Sequence, residues 1–427
     1  MEDSLTTYRI RRLITMENWI LFLLLLAASS LFWSTWLLGL CNMLFILTAI
    51  TYYFKMRSAV SRRQEFLKDI QSPFNFTLVL IFGAVLVTAA FHSEWARHMD
   101  KALLMLPYLV LPIAFSLFGE LRRQTILVFI IGYVSITFLF AAGVFIGYLI
   151  SPVDYIEKIS QGQAIRTPSS HIRFSMLVAV AVVLSLITVH SGLFRLVKPQ
   201  KTILILLGSI LFVFLHFLAV KTGLLTLYLA IIGYLSLQAI CRKSYRGLLW
   251  AVLLIISSAL ISYQIFPSFK AKIHYSIWDI SQYGQEDNAY LSDTYRLKSM
   301  VYGIETFKSS PVRGVGYHRL DDETRQVYLR HEESAESVKL PHNSFIYILA
   351  ASGLIGAILS FPGIILPFFR KRFDVNPYLL PIGIILWISC IVEPTLETTI
   401  GIHFHLLFVL ILGQLNISQQ HQENDFS

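Results

Sequence analysis

The hydrophobic positions of this chain fall in long uninterrupted blocks, not in helical stripes or alternating pairs. Runs such as "TILVFIIGYVSITFLFAAGVFIGYLI" and "IYILAASGLIGAILSFPGIILPFF" contain no charged residue. About 18 or more apolar residues, at 1.5 Å per residue in a helix, span a hydrocarbon core about 30 Å thick. The blocks predict twelve membrane-crossing helices, at about 15–33, 35–54, 75–91, 101–118, 125–150, 173–190, 202–218, 223–240, 247–266, 343–369, 378–392 and 400–415. A membrane barrel would instead show strands of about ten residues with alternating polarity, and the chain has none of that patterning.

One connection between spans is long. Residues 267–341 carry ten basic and eleven acidic residues, and loops of such length are usually functional or disordered. This one has helix grammar. In "SDTYRLKSMVYGIETFKSSP", Ser292 or Asp293 offers an N-cap and Leu297, Met300, Val301, Ile304 and Phe307 follow at helical spacing. Pro311 comes after the end. "RGVGYHRL" then supplies a Gly-x-Gly turn. The expected organisation is therefore nine helices over 1–266, a folded loop domain over 267–341 lying against the bundle, and three helices with a tail over 342–427.

Composition agrees with the pattern. The chain has 427 residues, 55% hydrophobic and 14% charged, with a mean hydropathy of +0.63. That leaves too little polar surface to cover an ordinary soluble domain. The net charge of +9 first suggests a polyanion, but its distribution is topological. Arg9, Arg11 and Arg12, the cluster from Lys55 to Lys68, Arg122 and Arg123, Arg195 to Lys201, Arg242 to Arg246, and Arg370 to Arg372 all fall on alternate connections. The positive-inside rule makes those connections and both termini cytoplasmic and the long loop external. No nucleic-acid partner is needed; the partner is the lipid bilayer. The opening "RIRRLITMENWILFLLLLAASS" also has the shape of a signal peptide, though an uncut first span is expected. The sequons at Asn75 and Asn416 lie on the cytoplasmic side and are read as chance. Cys41, Cys241 and Cys390 share no local motif, so neither a metal nor a disulfide framework is indicated.

Chemistry is sought among the charges that border the apolar phase, because such charges are costly there and tend to face a cavity or a partner. On the external side stand His171 and Arg173 in "SSHIRFSM", Lys221 in "AVKTGLL", Arg296 in the loop helix, His342 in "KLPHNSF", and Glu393 and Glu397 in "IVEPTLETTIG". Taken singly, each is a snorkelling side chain or a polar helix boundary as readily as a ligand-binding group. Together they put cations on the side that the positive-inside rule depletes. An anionic ligand there, of the lipid pyrophosphate kind, accounts for them. Pro341 disfavours helix at Leu340 and fixes His342 at the membrane surface. The histidines of "HFH" at 403–405 point to nearly opposite faces of a helix, which suits packing better than a metal. No phosphate loop, nucleophile elbow or zincin motif is present.

The ordered set "KALLMLPYLVLPIAFSLF", "HIRFS", "AVKTGLL", "YRLKSMVYGIETFKSSPVRGVGYHRL", "LPHNSFIYILAASGLIG" and "EPTLETTIG" resembles the O-antigen ligase and O-antigen polymerase superfamily of bacterial inner membranes. The wording of "HIRFS" and "TLET" is closest to members from Bacteroidota. The resemblance implies an all-α polytopic fold of about twelve transmembrane helices of the GT-C kind. It implies a metal-independent, cofactor-free, inverting glycosyltransferase at the periplasmic face. The donor would be a glycan on undecaprenyl pyrophosphate. The acceptor would be lipid A–core in the ligase branch, or a second lipid-linked glycan in the polymerase branch. By the same resemblance His342 is the catalytic base, and Arg173, Arg296 and Lys221 bind the pyrophosphate. Lys221 stands where the family usually has arginine. Arg313 and His171 are supporting candidates. Asn343 either holds the turn or contacts a sugar. Glu393 and Glu397 either orient His342 or a cation, or form structural ion pairs. A protein O-glycosyltransferase uses the same scaffold. A polysaccharide transporter would also suit twelve spans, but two similar halves are not visible.

Overall fold

The computed structural model describes residues 2–56, 66, 70, 72–92, 95–160, 163, 165–281, 292–331, 338–369 and 376–415. Arg57, Arg62, Arg63, Lys68, Arg370 to Arg372 and Asn416 lie outside the described residues, as do the side chains of Arg9, Arg11, Arg12, Lys55, Ser292 and Asp293. The helices are α1 Glu2–Trp33, α2 Thr35–Met56, α3 Pro73–Ala90, α4 Trp95–Met105, α5 Pro107–Phe118, α6 Arg123–Ile150, α7 Pro152–Ser160, α8 His171–His190 and α9 Lys198–Leu218. They continue with α10 Lys221–Arg242, α11 Arg246–Ile265, α12 Pro267–Ser281, α13 Ser292–Ser309, α14 Leu320–His331, α15 Ser344–Ile365, α16 Leu379–Val392 and α17 Thr399–Leu412.

Among the described residues, nine helical stretches are long and apolar enough to cross a membrane, and three shorter apolar helices, Phe74–Ala90, Leu379–Val392 and Thr399–Leu412, fill the remaining blocks. The protein is thus a polytopic helical membrane protein whose apolar helices stand where the blocks put them. Helices α8 and α17 are hydrophobic all round and buried almost throughout, as expected of central elements. Helix α8 packs against α6, α9, α10 and α16. By contrast α11 leaves Leu249, Trp250, Leu253 and Leu254 exposed, a face suited to lipid.

The tenth apolar block is not one continuous helix. Within α15, Gly353 adopts φ 62° and ψ −165°, which breaks the ladder inside the apolar run. Backbone groups freed there would be costly in hydrocarbon, so protein must satisfy them. The Pro311–Gly316 turn does so. Val315 N donates to Ala350 O at 3.0 Å and Gly316 N to Ala351 O at 2.9 Å; Leu354 N donates to Pro311 O at 2.9 Å and Ile355 N to Val312 O at 3.2 Å. The approach demands glycine on both sides. A Cβ on Gly314 would lie 2.4 Å from the Ala351 carbonyl, and one on Gly353 would lie 2.5 Å from Val312 and from Gly314 N. The Gly-x-Gly turn and the "SGLIG" stretch are two halves of one joint.

The expected helix of the long connection is present as α13, but its packed face differs from the apolar stripe that announces it. Leu297, Val301 and Ile304 are exposed, while Tyr295, Ser299, Tyr302 and Thr306 are buried. Tyr302 meets Tyr328 of α14 edge to face with ring centroids 4.6 Å apart, which gives the aromatics more contact than the aliphatic stripe would make. The Ser299 and Thr306 hydroxyls donate to carbonyls of their own helix, so they are buried without losing hydrogen bonds.

Gly353→Ala forces a side chain into a positive-φ position, roughly 1–2 kcal/mol on handedness alone, and into the Val312 backbone. It should sharply lower the thermal stability of the detergent-solubilised protein. Gly39→Ala, inside α2 where a Cβ meets only open space, should leave the melting temperature unchanged or raise it slightly, since alanine is the better helix former.

Candidate active site

His342 is held from three directions. Pro341 is buried and packs on Gly303 of α13, where a Cβ would sit 2.5 Å from the proline ring; the bare backbone lets the two segments touch. His342 N donates to Ser299 Oγ at 3.1 Å, and that hydroxyl donates to Arg296 O at 2.7 Å. The ring Nδ1 lies 3.1 Å from Leu340 O. A carbonyl only accepts, so Nδ1 carries the proton and Nε2 keeps a lone pair. Burial holds the imidazole pKa below its ordinary value. The Glu393 carboxylate and the Leu340 carbonyl pull it back up, and the Arg296 and Lys339 charges push it further down. The ring is therefore neutral near pH 7.

Asn343 caps α15. Its Oδ1 accepts from Phe345 N at 2.9 Å and Ile346 N at 3.0 Å, the ordinary N-cap geometry. Its Nδ2 donates to Ile391 O at 3.0 Å. Both ends of the amide thus hold the turn. Ser344 adds a second tie, donating to Glu393 O at 3.3 Å while Leu396 N donates back to its hydroxyl at 3.3 Å. The start of α15 is thereby pinned to the turn between α16 and α17.

That turn presents Glu393. Its Oε1 lies 3.0 Å from Arg296 Nη2, with both side chains partly exposed. The same carboxylate acts electrostatically on Arg173 of α8 and on His342. His171, two residues before Arg173 at the start of α8, feels the charges of Lys272 and Arg296. Five residues distant in sequence, namely His171, Arg173, Arg296, His342 and Glu393, thus meet at one end of the bundle.

Others go elsewhere. Glu397 forms a buried ion pair with Lys101, whose ammonium lies 4.9 Å from the Tyr317 ring centroid and 5.2 Å from that of Tyr347. Of the two glutamates, Glu393 joins the cationic cluster and Glu397 ties α4, the 317 turn and α15 together. Arg313 lies 5.2 Å over the Phe91 ring beside His92, and none of its described contacts is with the His342 cluster. Lys221 is exposed and opens α10, where it lines a cavity of about 280 Å³ with Lys272. His403 hydrogen-bonds Asn42 at 2.8 Å and His405 hydrogen-bonds Tyr108 at 2.9 Å, both packing roles. Among the described residues no group of three or more His, Cys, Asp or Glu side chains is arranged to hold a metal ion.

Ser299 and Lys272 escape sequence reading. A serine inside a helix and one lysine among the ten basic residues of 267–341 carry no distinguishing pattern; only the approach of α13 to Pro341 and of α12 to α10 singles them out.

Residues 204–361 match a family model described as O-antigen ligase. The matched region runs from α9 into α15 and contains Lys221, Arg296, Arg313, His342 and Asn343. His171, Arg173, Glu393 and Glu397 lie outside it. No curated protein matches the chain.

If the Lys101–Glu397 pair is structural, Lys101→Met leaves a buried carboxylate uncompensated, a loss of about 3–5 kcal/mol. Thermal unfolding in detergent should show that loss, and adding Glu397→Leu to Lys101→Met should recover much of it.

Proposed function

We propose that this chain, whose residues 204–361 match a family model described as O-antigen ligase, transfers a glycan from undecaprenyl pyrophosphate to lipid A–core at the periplasmic face of the inner membrane. It is a multi-pass bacterial membrane protein whose family acts in O-antigen ligase or polymerase type chemistry. The observation that carries the finer reading is the placing of the His342 ring, its Nε2 lone pair available, near an Arg296–Glu393 ion pair whose carboxylate also acts electrostatically on Arg173.

The chemistry follows from those groups. An acceptor hydroxyl beside His342 gives its proton to Nε2 as its oxygen bonds the anomeric carbon of the donor sugar. The bond from that carbon to the pyrophosphate oxygen breaks on the opposite side, so the configuration inverts. The pyrophosphate leaves with an added negative charge, which needs fixed cations more than a proton donor. Arg296 and Arg173 supply them, with Lys221 beyond. Glu393 holds the guanidiniums in place before the donor arrives and keeps His342 from becoming too weak a base. In this reading both termini are cytoplasmic, and the 267–341 segment is the periplasmic cap that carries Arg296 to the site. Asn343 fixes the backbone from which His342 projects.

Deletion of the gene should leave intact core without attached polymer while polymer accumulates on the lipid carrier. Core bearing a single repeat unit would assign the polymerase reaction instead, and loss of glycoprotein with normal lipopolysaccharide would assign protein glycosylation. Unaltered lipopolysaccharide together with unaltered glycoprotein would exclude all three.

His342→Ala should lower the transfer rate about 10²–10⁴-fold with the protein still inserted and still binding donor. The pH profile has a definite sign. The neutral ring is the active form and its pKa is lowered from the ordinary value of about 6.5, so kcat/KM should fall only in acid below that value. Glu393→Gln removes an influence that raises the pKa, so its acid limb should move to lower pH. A limb that stays in place or moves up would contradict the assignment.

A further inference from the structure

Three segments meet around His342, and their contacts close into a ring. Arg296 of α13 pairs with Glu393. The turn that carries Glu393 is tied to the start of α15 by Asn343, which reaches Ile391 O, and by Ser344. The path returns from α15 to α13 through Ser299, which is buried. Its Oγ accepts from His342 N at 3.1 Å and donates to Arg296 O at 2.7 Å. The Glu393 link holds the Arg296 side chain at its tip, and the Ser299 link holds the Arg296 backbone against that of His342. One hydroxyl thereby sets the spacing between the proposed base and the helical turn that carries the guanidinium.

A serine has one proton to give. Here it goes to the Arg296 carbonyl, so toward His342 the oxygen is an acceptor. It receives the amide, and it stands 3.5 Å from Nδ1, which also has the Leu340 carbonyl at 3.1 Å. Two acceptors beside Nδ1 keep the proton there and the lone pair on Nε2. The same helix offers a comparison. Thr306 is equally buried, and its Oγ1 donates to Tyr302 O at 2.9 Å, the back-bond that a hydroxyl inside a helix ordinarily makes. Ser299 makes such a bond and in addition takes the amide of a different segment.

We infer that Ser299 is the positioning residue of the base: it fixes the backbone from which the His342 ring projects, at a set distance from the Arg296 turn, and favours the tautomer that leaves Nε2 free. This rests on the transferase reading above, in which His342 takes the acceptor's proton, and adds to it the group that aims the ring. Misplacing a reacting group by about 1 Å costs on the order of 100-fold in rate. Arg296 keeps its Glu393 partner when the serine hydroxyl is removed, so the loss falls on kcat and not on donor binding.

The test is transfer kinetics of the full-length protein in detergent with the proposed donor and acceptor, read beside its melting temperature. Ser299→Ala should lower kcat about 10–100-fold with the donor KM near that of wild type. Ser299→Thr keeps the hydroxyl and should recover most of the rate. Thr306→Val, which loses only a back-bond, should melt no higher than Ser299→Ala and yet keep the wild-type kcat. Adding Ser299→Ala to His342→Ala should leave the residual rate unchanged, because a residue that acts through the imidazole then has nothing to aim. An equal loss of kcat in Thr306→Val and Ser299→Ala would overturn the inference, since it would mark a folding effect. So would a further loss on adding Ser299→Ala to His342→Ala. A wild-type kcat in Ser299→Ala beside an inactive His342→Ala would overturn the positioning role alone. Normal transfer by His342→Ala would overturn the base reading itself and the positioning role with it.

Discussion

Backbone hydrogen bonding inside a membrane is the constraint on which this structure turns. A helix broken in hydrocarbon exposes carbonyls and amides that no solvent will satisfy. Helix α15 breaks at Gly353, and four backbone bonds from the Pro311–Gly316 turn close the gap. The long connection is therefore stitched into the bundle, not merely laid over it. Its position fixes α13, whose Gly303 receives Pro341 and whose Ser299 receives the His342 amide. The placement of one imidazole thus depends on a glycine joint eleven residues further along its own helix. The buried Lys101–Glu397 pair and the Tyr317 and Tyr347 rings around it brace the same junction from the other side.

Electrostatics then divides the polar residues into two sets with different work. A carboxylate near several cations can neutralise them permanently or hold them for a ligand, and exposure decides which. The Lys101–Glu397 pair is buried, with both side chains under a tenth exposed, so it has no room for an anion and acts as a brace. The Arg296–Glu393 pair is partly open, and its carboxylate also acts electrostatically on Arg173 and His342. Under the proposed function, a pair of that kind would stay in place without donor and yield its guanidinium to a doubly charged pyrophosphate. The same carboxylate acts on the neighbouring imidazole, so in that reading it would couple binding to proton transfer.

The twelve apolar blocks were legible because a bilayer imposes a minimum length and tolerates few charges, and both are local properties of sequence. The candidate residues were legible because charges at an apolar border are costly and so informative. Other features were hidden for equally physical reasons. The stripe Leu297, Val301 and Ile304 announced a helix correctly and its buried face wrongly, because next to a membrane exposed aliphatics are not penalised as they are in water. That Asn343 caps α15 and also ties it to the Ile391 carbonyl could not be read from its place after a histidine. Glu393 and Glu397, four residues apart in one turn, could not be told apart by pattern. Ser299 and Lys272 carried no pattern at all.

By itself, then, the sequence determined that the chain is a polytopic helical membrane protein, where its spans run, and which charged residues border the apolar phase. Hydrophobic length and the cost of a charge in hydrocarbon act residue by residue and leave their mark in order along the chain. Only the tertiary structure decided which of those residues meet. Residues 171, 173, 296, 342 and 393 converge because of a helix break, a bare glycine surface and a two-ended cap, and Glu397 and Arg313 are drawn away by Lys101 and Phe91. Those choices depend on distances between segments from about forty to about three hundred residues apart, and no local preference encodes them.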